Sequence, residues 1–171
     1  ISFSTDSWQV IANAVKNNNI DLYHIGDTKE VQIDNLGTFL VRIVNTSTPS
    51  SCLQEDFSQS ACGFVVEFTS LLGLHKYNDR DTTYSGGNVL GKDNAGGWLH
   101  SDLRSYISTE IYSNLPSDLQ EVIIDTKVIS GHGSGPLDTS DIESTDKLYI
   151  LSGKEIFNKS ISSHSILIRE N

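Results

Sequence analysis

The sequence predicts an α+β fold with antiparallel β-hairpins or a small sheet, about four helices, and two long Gly-rich loops. Three observations carry that reading. Residues 29–44 alternate apolar and polar side chains on either side of an Asn-Leu-Gly turn. Apolar residues recur at helical spacing near the N-terminus and again after Ser101. Two segments, 73–97 and 130–141, are rich in Gly and polar residues and have no regular apolar period.

In residues 6–18, Trp8, Ile11, Ala12 and Val15 fall at i, i+3, i+4 and i+7, which puts them on one helical face. Thr5 or Asp6 is placed to cap the start, and Asn17-Asn18-Asn19 to end it. Ile20 to Gly26 reads as a short extended piece closing in a turn. Val31 and Ile33 share one side of a strand over 29–34. Asn35-Leu36-Gly37 turns the chain, and Phe39, Val41 and Ile43 line one face of the returning strand 38–44. Residues 45–61 are polar loop, and 63–69 has the character of a third, buried strand. After the first Gly-rich loop, Ser101 caps a helix carrying Leu103, Tyr106, Ile107 and Ile111 along its face. Pro116 opens another, with Ser117 and Gln120 at capping-box spacing and Leu119, Val122 and Ile123 turned inward. A strand over 124–130, the second Gly-rich loop, a strand over 147–151, a short helix capped by Ser152 and Glu155, and a closing strand over 165–169 complete the chain.

The 171 residues suit one domain spanning 1–171. Hydrophobic residues at 37% beside 20% charged residues are those of a globular protein. The formal net charge of −10 repels phosphate backbones and anionic lipid, and the 12 Lys and Arg form no patch, so nucleic acid is not an expected partner. No apolar stretch approaches the roughly 20 residues that span a bilayer, so membrane insertion is not expected. The opening Ile1-Ser2-Phe3-Ser4 has no basic-then-apolar leader and suits a module excised from a longer secreted or surface protein. Cys52 and Cys62 are the only cysteines. Two readings stand side by side: a disulfide closing a polar loop in an exported protein, or two unpaired thiols with Cys62 entering a strand. The bridge would contribute on the order of 2–3 kcal/mol.

Several stretches in order resemble one bacterial family: Ser7-Trp8-Gln9-Val10-Ile11, Ile25-Gly26-Asp27-Thr28-Lys29, Phe39-Leu40-Val41-Arg42-Ile43, Phe64-Val65-Val66-Glu67-Phe68, Gly96-Gly97-Trp98 with Ser101-Asp102-Leu103-Arg104-Ser105-Tyr106, Leu115-Pro116-Ser117-Asp118-Leu119, and Thr145 to Ser152. Together they are similar, over nearly the whole chain, to an uncharacterised domain-of-unknown-function family of secreted and cell-surface proteins. Members resemble C-type-lectin-like folds at their Trp-Leu-Arg-Ser-like and Gly-Val-Arg-Pro-Ala-like endings, and this chain stops at Asn171 without either motif. The resemblance implies a secreted or surface location and supplies no activity.

The candidate sites each have a plainer reading. Asp79, Asp81 and Asp93 offer oxygen ligands of the kind calcium takes, but EF-hand spacing is absent, and solvated loop carboxylates are the better account of them. No metal or cofactor is therefore expected. His75 or His132 with Asp79 or Asp81 is the raw material of a hydrolytic site, and Cys62 with His75 that of a nucleophile–base pair. Gly131-His132-Gly133 lacks the Lys-Ser/Thr ending of a phosphate loop and reads as surface loop. Trp98 would either stack on a ligand or anchor the following helix to the core. Arg104 is expected to pair with Asp118 or Asp146. The sequons at Asn45 and Asn158 carry no information in a bacterial protein.

The expectation is therefore a non-enzymatic extracellular binding module. It would engage a carbohydrate or a host or bacterial surface protein through the two loops, with Tyr77, Tyr84, Trp98 and His132 as contact residues. The alternatives are a hydrolase built on His75 or His132, and a structural spacer.

Overall fold

The computed structural model describes residues 2–78, 82–83, 89–91, 96–132 and 140–151. Helix α1 (Trp8–Lys16) forms as its apolar spacing demands, and it buries Trp8 and Ile11. Its cap is Ser7, whose hydroxyl accepts from the Val10 amide. Asp6, one of the expected caps, instead accepts a hydrogen bond from the Tyr23 hydroxyl at 2.8 Å. Asn18 ends the helix in the left-handed region at φ 52°, a conformation that Asn tolerates better than most residues. Residues 20–26 are turns rather than an extended piece.

Strands β1 (Thr28–Ile33) and β2 (Gly37–Asn45) make the expected hairpin, antiparallel with Val31 opposite Phe39 and Ile33 opposite Gly37. Alternation puts Val31, Ile33, Val41 and Ile43 inward while Glu30, Gln32, Leu40 and Arg42 face solvent. Strand β3 (Val65–Phe68) pairs with the other edge of β2 and gives the order β1-β2-β3. The inner face of this sheet meets α1 and the segment 115–123 in one apolar core. Its members are Phe3, Trp8, Ile11, Tyr23, Val31, Ile33, Val41, Ile43, Leu115 and Leu119. Phe3 touches Trp8, Tyr23 and Phe64 edge-on at 5.8–6.2 Å, the arrangement that ring quadrupoles favour.

The first Gly-rich segment is not all loop. It contains two short paired strands, β4 (Thr82–Thr83) and β5 (Val89–Gly91). A 3₁₀ turn at Trp98–His100 leads into α2 (Asp102–Tyr106), which runs directly into a π-helical segment at Ile107–Ile111. The wider π turn shifts the helical register. Of the expected face Leu103, Tyr106, Ile107 and Ile111, only Ile111 is buried, and Tyr112, partly buried, packs against the core. Helix α3 (Ser117–Gln120) follows Pro116 as expected, but the capping box does not form. The Gln120 side chain turns back to the carbonyls of Ser113 and Leu115.

Strand β6 (Thr126–Gly131) pairs antiparallel with β7 (Asp141–Asp146) in a separate two-stranded sheet. The expected strand at 147–151 is a correction: pairing ends at Asp146, and Ile150 and Leu151 are exposed. Strand β7 lies between the expected loop over 130–141 and the expected strand over 147–151, where the sequence shows no element, because its buried side chains are Ser144 and Asp146 and no apolar alternation marks it. Of the about four expected helices, three are found among the described residues, and the helix expected after Ser152 and the strand over 165–169 lie outside them.

Candidate functional site

The site begins with Gly96-Gly97-Trp98. Gly97 has φ 62°, and a Cβ placed on it would sit 2.0 Å from the carbonyl oxygen of Gly131. Only glycine allows this approach. The ends of the two Gly-rich segments are thereby held backbone to backbone, Gly97 against Gly131 and His132.

Trp98 is 4% exposed: the ring is inside the protein, as an anchor of the following helix would be, and is not placed to stack on a ligand. Its indole N–H donates to Asp146 Oδ2 at 3.0 Å. The same oxygen accepts from the Ser144 hydroxyl at 2.6 Å, and Oδ1 accepts from Arg104 Nε at 2.6 Å. Arg104 also donates from its other two nitrogens to the carbonyls of Leu99 and Thr145, both at 3.3 Å. Of the two expected partners for Arg104, the structure selects Asp146. Ser101, buried, caps α2 through the Arg104 amide at 3.0 Å, and its hydroxyl donates to the Trp98 carbonyl at 2.9 Å. Asn78, 1% exposed, accepts from the Asp102 amide through Oδ1, and the Tyr77 carbonyl accepts from the Leu103 amide.

A buried carboxylate is stable only when paired and hydrogen-bonded. Asp146 has three donors around it, one of them a guanidinium, so it is a fully engaged anchor. It ties β7 to the turn at Trp98 and to α2.

The other candidates scatter. Tyr77 is half-buried; burial pushes its hydroxyl pKa up, and a hydrogen bond with Ser101 offsets this in part. His132 is half-buried with its backbone against Gly97. His75 is exposed, stacked on the Tyr106 ring at 4.2 Å, and its Nδ1 lies 2.6 Å from the Lys76 carbonyl. Tyr84, Asp79, Asp81 and Asp93 lie outside the described residues. Among the described residues no three His, Cys, Asp or Glu side chains converge to hold a metal ion. Cys62 is joined to Cys52 in a disulfide, which removes it from any pairing with His75 as nucleophile and decides between the two cysteine readings.

Two concavities flank the hub. A groove of about 460 Å³ runs between Glu55 and Asp56 on one wall and Ile129, Asp141, Ile142 and Glu143 on the other. A hollow of about 260 Å³ lies over Arg104, Tyr112 and Thr145, with the Lys147–Asp125 ion pair (3.3 Å) at its rim. Sequence reasoning missed Ser144 and saw Asp146 only as a partner for Arg104. The signal available for Ser144 and Asp146 was their spacing of two, which on a strand puts both on one face.

Fold and site define a disulfide-bearing α+β protein whose second half is organised around a buried Asp–Arg–Trp cluster. That half identifies it: a family model matches residues 76–170, more than half of the chain, and the chain belongs to this family, described as Domain of unknown function (DUF6273). The match begins at Lys76, so the stretches before residue 69 that carry the resemblance fall outside it. Every member of the Asp146 cluster falls inside. No curated protein and no solved structure matches the chain.

Proposed function

We propose that this chain is a non-enzymatic binding module of a secreted or cell-surface bacterial protein, folded as one domain. It would take a carbohydrate or a surface protein on the face where the two Gly-rich segments meet. The observation that carries the reading is the close approach of Gly97 to Gly131 and His132. It brings the roots of both segments to one place, and Trp98, the neighbour of Gly97, is tied to the far end of β7 through Asp146. Binding surfaces on loops held by a rigid scaffold work in this way. The Cys52–Cys62 disulfide supports an oxidising, extracellular setting. A shared core, in which Leu115, Leu119 and Leu148 pack with the N-terminal sheet, supports one folding unit. A relation to C-type-lectin-like folds belongs to the same reading and rests on the sequence resemblance alone. The hydrolytic alternative has less support, because the His75 ring is stacked on Tyr106 and one of its nitrogens lies against the Lys76 carbonyl.

The test is to present the purified, disulfide-intact chain to a glycan array and to a panel of extracellular host and bacterial surface proteins. Saturable capture of a glycan or protein is expected. Absence of capture across both collections would favour the spacer reading instead.

A further inference from the structure

We propose that the Cys52–Cys62 loop is a redox-releasable strap that holds the β6–β7 hairpin in place. The loop has little regular structure of its own: a 3₁₀ turn at Ser50–Leu53 and then isolated turns up to Gly63. One end is fastened to the three-stranded sheet, where the Asn45 side-chain amide donates to the carbonyls of Ala61 and Gly63 and the Gly63 amide donates to Ser47. Its middle lies along the outer edge of β6. The Gln59 amide donates to the Lys127 carbonyl at 2.8 Å, and the Ile129 amide donates to the Ser58 hydroxyl at 3.3 Å. Lys127 Nζ reaches back to the Glu55 carbonyl at 2.6 Å, and the Tyr149 hydroxyl donates to the Ser60 carbonyl at 2.8 Å.

The strap thus covers an edge strand whose main-chain groups would otherwise face water or another chain. It also forms one wall of the groove opposite Asp141 and Glu143. Its shape depends on the disulfide, because no helix or strand between residues 54 and 64 holds the loop closed. Cys52 is buried and Cys62 is the more accessible. A dithiol reductant would therefore attack Cys62 Sγ: the Cys52–Cys62 bond breaks, Cys52 leaves as thiolate, and the mixed disulfide at Cys62 resolves as the reductant closes its own disulfide. The two electrons and two protons end on Cys52 and Cys62 as thiols. Freed of that closure, the loop lifts from β6 while the apolar core, which contains neither cysteine, stays formed.

Hydrogen–deuterium exchange on the whole chain, oxidised and then treated with a dithiol, tests this. The amides of Gln59 and Ile129 are expected to exchange at least about tenfold faster after reduction, with those of β1 changing by less than about threefold. In a second arm, Lys127→Met with the disulfide intact removes only the lysine's hold on the loop, and a smaller rise confined to the same two amides is expected. No change at Gln59 and Ile129 on reduction, or an equal rise throughout β1, would overturn the proposal, as would a Lys127→Met protein that exchanges like the parent.

Discussion

The molecule has two interiors made in different ways. Around the β1-β2-β3 sheet the buried side chains are almost all hydrocarbon or aromatic: Ile33 and Ile43 are fully enclosed, and Phe3 sits among three other rings. Around β6–β7 the enclosed groups include Ser144, Asp146, Ser101 and Asn78, with Trp98 and Val128 as the apolar share. The first interior is held by removal of apolar surface from water, a force without direction. The second is held by hydrogen bonds and the Arg104–Asp146 ion pair, which have direction and fail abruptly when a partner is lost. An apolar core tolerates change of shape at moderate cost, whereas the Asp146 cluster fixes the angle at which Trp98, α2 and β7 meet.

The largest expected effects compare the two interiors directly. Asp146→Ala strands the Arg104 guanidinium, the Trp98 N–H and the Ser144 hydroxyl, and should cost about 3–5 kcal/mol. Ile33→Ala leaves only a cavity and should cost about 2–4 kcal/mol. Urea unfolding of both variants gives the two numbers. A loss at Asp146 below about 1 kcal/mol, the scale of a single net hydrogen bond, would erase the contrast. Next come two glycines, both at positive φ. Gly97→Ala drives a methyl into the Gly131 carbonyl and should cost about 2–3 kcal/mol, while Gly26→Ala, with nothing within 4 Å of its Cβ, should cost about 1 kcal/mol. Equal losses at the two positions would mean that the backbone junction at Gly97 carries no weight.

The smallest effect belongs to the apolar interior, where the titration of Tyr23 is displaced. Burial, with the Asp6 carboxylate as hydrogen-bond partner and nearby charge, pushes the Tyr23 hydroxyl from 10.0 up to about 12. The folded protein keeps this proton where the unfolded chain has already released it. Its contribution is therefore intact below pH 10 and is lost as pH rises through 10 toward about 12, to the extent of about 2 kcal/mol. Tyr23→Phe should lose about 1 kcal/mol near neutrality, for the bond to Asp6, and then fall less steeply than the parent in alkali. Urea midpoints measured at about pH 9 and about pH 11 check the sign, since parallel slopes for the two proteins would contradict it.

The same division explains what was legible in the sequence. The β1–β2 hairpin could be read because Val31, Ile33, Val41 and Ile43 alternate with polar residues, and α1 because Trp8, Ile11 and Val15 keep helical spacing. Strand β7 could not, because its inner face is Ser144 and Asp146. The reading shifted to the apolar run Leu148–Leu151, of which only Leu148 packs on the core. The register change in the π segment has no local signature, so the helix face after Ser101 was misplaced. The Ser117–Gln120 capping box failed because Gln120 found two carbonyls closer at hand. At the site, Gly96-Gly97-Trp98 and Arg104 stood out as residues, but their convergence on Asp146 crosses more than 40 positions of chain and needed coordinates. Separation along the chain also hid the meeting of the two Gly-rich segments.

A double-mutant cycle on Arg104 and Asp146 tests most directly whether a buried ion pair organises the family half. Arg104→Met and Asp146→Leu are made singly and together, and each protein is unfolded in urea. Each single change leaves a charge or its hydrogen-bond partners stranded, whereas the double change replaces the pair with apolar contact. The double variant should therefore be more stable than the sum of the single losses predicts by about 2 kcal/mol or more. Losses that simply add, within about 0.5 kcal/mol, would contradict the account.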